Sequence, residues 1–533
     1  MYQALLTRRY LTSKIMPLLA SLAVVLCTAM VLIVWSVMGG FLVKLMNSGR
    51  ALVGDVVVAW PNTGFAHYDD LIGRFERDPM IAAATPVIET YGLLSLPSGR
   101  TEYVVVKGIE PAGYAAVTGY DSTLWWRPLD EPTPKDKDRR DERLDPRLRS
   151  VMERAIQNGR SLTRADPATG RPLPAIAMGI EIGDNYRDPT GIYFPLRSHR
   201  VRSDGTSEVL DVRPISEGVV KLNVLPLDSR GRVLDMASLT LPIANEFKTG
   251  MFEVDNRTVL VPIGPLQERL QMGEALRADG STSPGGTIVD DQGRERLTRP
   301  SISGREPARV TAVFVRATPA VLSSDLRWRV AEIYAGFAAD HAGVVPQAPL
   351  ISVRPDGTRE VVPMQGSILV RTWEDLNATF INAVKKETGL VLFIFSFISL
   401  TAVFLVLAIF WAMVSEKTKD VGVLRSMGAS RTGVAAVWLA YGLAIGVVGS
   451  SLGGLLAYAV VTNINAIHDW MGTALKIQIW DPRIYYFTEI PSRVEWDKAV
   501  MVMSGGALSS VAGALLPALR AAFLHPVAAL RFE

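Results

Sequence analysis

The 533 residues contain a single cysteine, Cys27. No intramolecular disulfide can form, so every folded part must hold together by core burial. The five histidines, His67, His199, His341, His468 and His525, are scattered without metal-ligand spacing. The phosphate loop GxxxxGKS/T, paired CxxC cysteines and the zinc motif HExxH are all missing, which removes the usual sequence signs of nucleotide or zinc chemistry. Net charge is +3. The charge is balanced and lacks the clustered basic face of a nucleic-acid binder.

What the chain does have is long apolar runs. A hydrocarbon core of about 30 Å needs roughly 20 apolar residues in a helix. Four runs meet that length: 15–43, 389–414, 434–461 and 499–521, none with an acidic residue inside. The first run follows Arg8, Arg9 and Lys14 like a secretory signal, but it is too long and ends in Trp35, Met38 and Phe41 rather than a small-residue cleavage site. Lys and Arg gather in 1–14, in the loop after the second run (Lys417, Lys419, Arg425, Arg431) and in 522–533. By the excess of positive charge in cytoplasmic loops, those three segments are expected in the cytoplasm.

The expected fold class is therefore an α-helical membrane protein with four transmembrane helices and a large mixed α+β extracytoplasmic domain between helices 1 and 2. That domain would span 44–371, with 463–498 an external loop. Within it, Asp55–Ala59, Tyr103–Val106, Val219–Val224, Val259–Val261 and Val310–Val315 are β-branched runs that read as strands. Phe65–Asp78 and Leu326–Asp340 read as helices. The stretch 127–149 is almost all charge and proline and is expected to be a solvated, flexible loop. Asp279–Pro300 is similarly polar. Thr372 and Asp375 have capping-box spacing, and Trp373, Leu376, Phe380 and Ala383 recur at helical steps. A stalk helix over 372–388 follows from that pattern, either running into the second span or packed on the domain.

Gly449, Ser451 and Gly453 satisfy the GxSxG of serine hydrolases, yet that motif needs a strand-turn-helix setting rather than mid-span. The spans also lack the paired ionisable groups an embedded enzyme would need. Gly442, Gly446, Gly449 and Gly453 instead fit close helix packing, as do Gly505, Gly506, Ser509 and Gly513 in the last run. Between the second and third runs, 415–431 reads as a short amphipathic helix with Val421, Leu424 and Met427 on one side and Gly428 as its stop. It could lie on lipid or fit a partner's groove.

Several blocks taken together resemble a known family. They are Arg9-Tyr10-Leu11, SVMGGF at 36–41, GIEP at 108–111, EKTKDVGVLRSMGAS at 416–430, WDPRIYYFTEIPS at 480–492 and PALRAAFLHPVAALRFE at 517–533. They resemble the permeases of type VII ABC transporters, most of all the lipoprotein-releasing, Lol-type permeases. Gly40 replaces the family's usual Asn, and the insertion looks larger than in typical relatives.

The resemblance implies a non-enzymatic permease subunit of the bacterial inner membrane, multi-pass with both termini cytoplasmic. It would bind no cofactor itself; ATP and Mg would sit in a partner cytoplasmic ABC ATPase dimer. A second permease subunit, lipidated cargo and a periplasmic lipoprotein carrier are the other implied partners. The segment 415–431 would be the coupling helix. Val421, Leu424, Met427 and Gly428 would supply its apolar contact and stop, and Glu416, Lys417, Asp420 and Arg425 its polar register. Met30, Val34, Met38 and Phe41 in the first span and Phe393, Phe397 and Val403 in the second are candidate cargo-cavity residues. Two other functions fit the same family: a mechanotransmission exporter of the macrolide-efflux type, and a signalling scaffold that controls a cell-wall hydrolase.

Overall fold

A computed structural model describes residues 15–50, 52–61, 63–131, 141–183, 185–187, 192–194, 197–201, 207–212, 218–226, 235–278, 287–289, 292, 295–297, 302–341, 352–353, 359–360, 368–475 and 490–525. The expected segments 1–14, residues 476–489 of the expected external loop 463–498 and the tail beyond 525 lie outside these residues, as does part of 279–300. The chain divides into two compact units. One is the membrane unit, 1–45 with 379–481 and 489–533; the other is the inserted domain, 46–378 with 482–488.

Four helices are long and apolar enough to cross a membrane, and the inserted domain lies between the first and second of them. These helices are α1 (Ile15–Arg50), α6 (Ala378–Glu416), α8 (Arg431–Thr462) and α9 (Trp496–Phe523); a short helix, α7 (Thr418–Ser426), joins α6 to α8. The domain contributes α2 (Tyr68–Phe75), α3 (Pro111–Thr118), α4 (Arg149–Ser161) and α5 (Ser323–His341).

Nine strands form the domain's main sheet: β1 (Val56–Ala59), β2 (Ile81–Ser95), β3 (Thr101–Ile109), β4 (Ile176–Gly179), β5 (Val219–Val224), β6 (Ala237–Phe247), β7 (Thr258–Pro262), β8 (Ala312–Ala317) and β9 (Leu369–Thr372). Their order is β5-β6-β4-β7-β3-β2-β8-β1-β9, and β5 also pairs with β2. Six strands, β2-β3-β7-β4-β6-β5, thus close into a ring. The long β2 makes this possible by pairing with β8 through Ile81–Val87 and with β5 through Gly92–Ser95.

Strand alternation then sorts two cores. Val56, Val58, Val313 and Val315 join one apolar cluster with the ring interior and with Leu326, Val330 and Phe337 of α5. Val57, Ala312 and Phe314 face the other cluster, with Tyr114 and Val117 of α3. Fully burying each valine, leucine or phenylalanine among them contributes about 1.5–3 kcal/mol.

Two expectations need correction. The charged stretch 127–149 is ordered at its end: Asp141 and Arg143 are 3% and 8% exposed. The Arg143 Nε donates to both Asp141 carboxylate oxygens at 3.0 Å, and its guanidinium lies 3.6 Å from the Trp125 ring centre. An aromatic face supplied from outside the stretch, plus a carboxylate within it, lets the cation be buried. Residues 132–140 lie outside the described residues. The stalk helix, for its part, is interrupted. The capping box forms, with Asp375 N–H donating to Thr372 Oγ1 at 3.1 Å and Thr372 N–H to Asp375 Oδ2 at 3.0 Å. The turn Trp373–Leu376 stops at Asn377, however, and α6 starts afresh at Ala378. Trp373 is fully buried with the domain, whereas Ile381 and Val384, not Ala383, are the buried positions that follow.

Candidate functional site

The membrane unit is built on small residues. A Cβ placed on Gly442 or Gly446 of α8 would come within 2.7 Å of Ala514 Cβ and 2.9 Å of Ala507 Cα, so these glycines seat α9. Gly449 and Gly453 face α1 instead, 2.9 Å from Val24 Cβ and 2.7 Å from the Val25 carbonyl oxygen. Gly513 of α9 meets the Val403 carbonyl of α6 at 2.8 Å, while Gly505 has open space. Without a hydrophobic force between helices in lipid, such close approach supplies the packing. Ser510 adds a hydroxyl bond of 2.8 Å to the Gly442 carbonyl. Ser451 of the GxSxG pattern is an exposed helical residue of α8.

The segment singled out in the loop is α7. Its entry is fixed by Thr418, which is buried and donates through Oγ1 to the Val414 and Ser415 carbonyls, covering acceptors left open where α6 ends. Its exit is a Schellman turn. Gly428 has φ +94°, its N–H reaches the Arg425 carbonyl at 3.2 Å, and the Ala429 N–H reaches Leu424 at 3.0 Å. Arg425 donates to the Ala429 carbonyl at 3.1 Å, and Ser430 caps the next helix through Gly433 N–H at 3.0 Å.

Between these anchors the side chains divide differently from the expected pattern. Val421 is 3% exposed and belongs to the bundle core with Phe410, Met413, Val434 and Trp438. It is therefore not part of an outward contact. Leu424 is half-buried. The outward surface consists of Glu416, Lys419, Asp420, Val423, Ser426 and Met427, the last 80% exposed. Lys417 and Asp420 pair at 2.8 Å. Val423 is an outward apolar residue that helical patterning passes over, because its neighbour Val421 takes the inward place.

A cavity of about 220 Å³ opens between α1, α6 and α9. Its walls include Cys27, Thr28, Ser399, Val403, Val406 and Gly505, and the Cys27 thiol lies 3.6 Å from the Ser399 hydroxyl. Of the candidate cargo residues it collects only Val403. Met30, Phe393 and Phe397 are exposed, the two phenyl rings packed edge to face at 5.0 Å, and Val34, Met38 and Phe41 are half-buried elsewhere on α1. Hydroxyls and a thiol among valines give the cavity a mixed lining. No cluster of metal-ligating groups occurs among the described residues.

In the inserted domain, burial raises the Asp255 carboxyl to about 6, although Thr249 and Gly250 donate hydrogen bonds to it. Asp78 shifts the other way. Burial opposes ionisation there, but the Met80 N–H and the Arg329 guanidinium hold the carboxyl below its ordinary value.

Residues 392–526 match the family model described as FtsX-like permease C-terminal. Among curated proteins, the chain is 29% identical over 173 residues to the lipoprotein-releasing system transmembrane protein LolC of Xylella fastidiosa (strain 9a5c), covering 32% of this chain and 42% of that protein. It is 27% identical over 182 residues to LolC of Neisseria meningitidis serogroup B, covering 34% and 44%. Against LolE of Haemophilus influenzae the figures are 26% over 117 residues, covering 22% and 28%. The chain thus spans less than half the length of the curated relatives it matches. A solved periplasmic region of MacB from Actinobacillus actinomycetemcomitans covers 64% of this chain and 98% of its own at 8% identity, with a TM-score of 0.26, too low to transfer a fold. Residues 392–526 are thus similar to the C-terminal domain of FtsX-like permeases, and the matched part of the chain is similar to LolC.

Proposed function

We propose that this chain is a permease subunit of an ATP-driven ABC transporter that extracts lipidated proteins from the outer leaflet of the bacterial inner membrane. The α7 segment carries the reading: a short helix locked at both ends into the bundle, with a charged and apolar outer surface. A lever of that form transmits force, because Val421 ties it to the core while Met427 and Val423 remain available to a partner. The ATPase, with its ATP and Mg, is a separate cytoplasmic dimer, and a second permease subunit completes the complex. The termini and α7 face the cytoplasm, and the inserted domain faces the periplasm, where a carrier takes up the cargo.

Relatives named for lipoprotein release support the cargo class, and the mixed lining of the cavity suits a lipid chain with an ester end. The test is affinity purification in mild detergent with mass spectrometry, comparing wild type with Met427→Asp and Val423→Asp. Recovery of an ATPase and acylated proteins, with the ATPase lost in either variant at unchanged thermal midpoint, is the expected result. An ATPase without acylated proteins would sink the cargo; the absence of any ATPase would sink the transporter.

A further inference from the structure

At the α7 end of the membrane unit, two arginines stand over outward-facing rings. Arg520 of α9 has its guanidinium carbon 4.2 Å from the Trp411 ring centre on α6, and Arg431, the first residue of α8, is 5.2 Å from the Phe523 ring at the end of α9. Trp411 is 44% exposed and Phe523 62%. Exposed Leu516 and Leu519 on the same helix continue this surface toward the bundle's middle. Among the described residues neither guanidinium has a carboxylate within ion-pair distance, whereas Lys417 and Lys498 of the same unit pair with Asp420 and Glu495.

Depth favours a lipid over a soluble ion. Arg520 precedes the end of α9 by three residues and Trp411 precedes the end of α6 by five, which at 1.5 Å per residue is roughly 5–8 Å. Positions within the last turn or two of a span suit the interface, where tryptophan collects. A cation–ring contact spends none of the guanidinium N–H donors, and their planar fork matches the oxygens of a phosphate. Arg431 adds its charge beside the first N–H groups of α8, which also favour an anion.

We propose that Arg520 on Trp411 and Arg431 on Phe523 form a binding site for the phosphate of an anionic phospholipid at the α7 end of the bundle. Gly428 and Ser430, which end α7 and start α8, lie within three residues of Arg431. A lipid held there steadies the exit of α7, so headgroup charge tunes the link between α7 and the spans.

The full chain in neutral detergent is titrated with phosphatidylglycerol, with phosphatidylcholine and with inorganic phosphate, following the thermal midpoint. Wild type is expected to rise with phosphatidylglycerol alone. Arg520→Gln and Arg431→Gln each raise the half-effect concentration roughly fivefold, and about 25-fold together, the worth of an interfacial cation at an anionic membrane. Lys385→Gln with Lys386→Gln, far along α6, leaves it unchanged. If the Gln variants fail to fold, Arg520→Lys and Arg431→Lys, which keep charge and lose the fork, take their place with a smaller rise. An equal response in wild type and variants, or an equal response to free phosphate, overturns the proposal. So does loss of a co-purifying acidic protein with the lipid response intact.

Discussion

In the inserted domain the core is filled by large or branched side chains, Phe314, Phe247, Tyr114 and Ile88 among them, all without solvent exposure. In the membrane unit large side chains such as Phe410 and Trp438 are also buried, but helices additionally meet at Gly442, Gly446, Gly449, Gly453 and Gly513, where an added Cβ would have no room. Water accounts for the difference. Around the domain it drives bulky apolar groups inward, so volume is rewarded. In lipid, leucine outside a helix is as comfortable as inside, and only dispersion at short backbone separation distinguishes the packed state. The bundle accordingly exposes Leu455, Leu508 and Leu516 and hides glycine.

The largest effect expected from this contrast is in the bundle. Gly453→Val would drive a branched carbon toward the Val25 backbone oxygen, only 2.7 Å from even a Cβ. We expect a loss of more than about 3 kcal/mol, beyond ordinary overpacking because backbone cannot step aside. Gly505→Ala, with nothing within 4 Å, should fall within about 1 kcal/mol of wild type. Equal thermal midpoints for the two variants would break the small-residue account.

Large-to-small changes should reverse the ranking. Phe314→Ala in the domain is expected to cost about 3–5 kcal/mol in denaturant unfolding. Leu455→Ala on the outward face of α8 should cost well under 1 kcal/mol, since the lost methylenes had only lipid for company. A comparable loss at both sites would mean that Leu455 meets protein rather than lipid.

A smaller, pH-dependent effect belongs to the domain alone. The Asp255 carboxyl, raised to about 6 when folded, lies near 3.9 in an unfolded chain. The folded state therefore holds the proton more tightly. This contribution is fully present below about pH 4 and is lost as pH rises through about 6, by up to ~3 kcal/mol. Asp78, held low, acts in the opposite sense and loses its contribution as pH falls. The difference between wild type and Asp255→Asn, followed from pH 4 to 7, isolates the first effect. A flat difference would show that Asp255 is ionised throughout.

The smallest expected change is Asp420→Ala. It removes the exposed Lys417 pair and should shift stability by no more than about 0.5 kcal/mol, read as a thermal midpoint.

Local signals made much of this legible. The long apolar runs point to the helices at Pro17–Lys44, Ile381–Glu416, Arg431–Thr462 and Trp496–Phe523. The branched run Val219–Val224 coincides with β5. Three features were out of reach because they depend on residues far apart in sequence. The ring closes only because β2 is long enough to serve two partners, and nothing in IAAATPVIETYGLLS alone names either. Arg143 is buried by Trp125, eighteen positions upstream, against the expectation that a charge run stays in water. On α7, helical spacing grouped Val421 with Met427, yet the first is spent on Phe410 and Trp438 and the second is bare. Periodicity gives a face; it does not say which half of that face the bundle has already used.

The strands that open and close the insertion are neighbours: β1 and β9 lie antiparallel, with Val56 opposite Thr372 and Ala59 opposite Leu369. The incoming end of one and the outgoing end of the other therefore meet at the same point, where Trp373 N–H also reaches the Asp55 carbonyl at 3.4 Å. Tension between the first and second spans would fall on that point across the strands. Ladder bonds perpendicular to the strands then bear load one after another rather than together. Within the domain, the bonds nearest Asp55 and Trp373 would therefore be the first to carry such a load, and the ring the last.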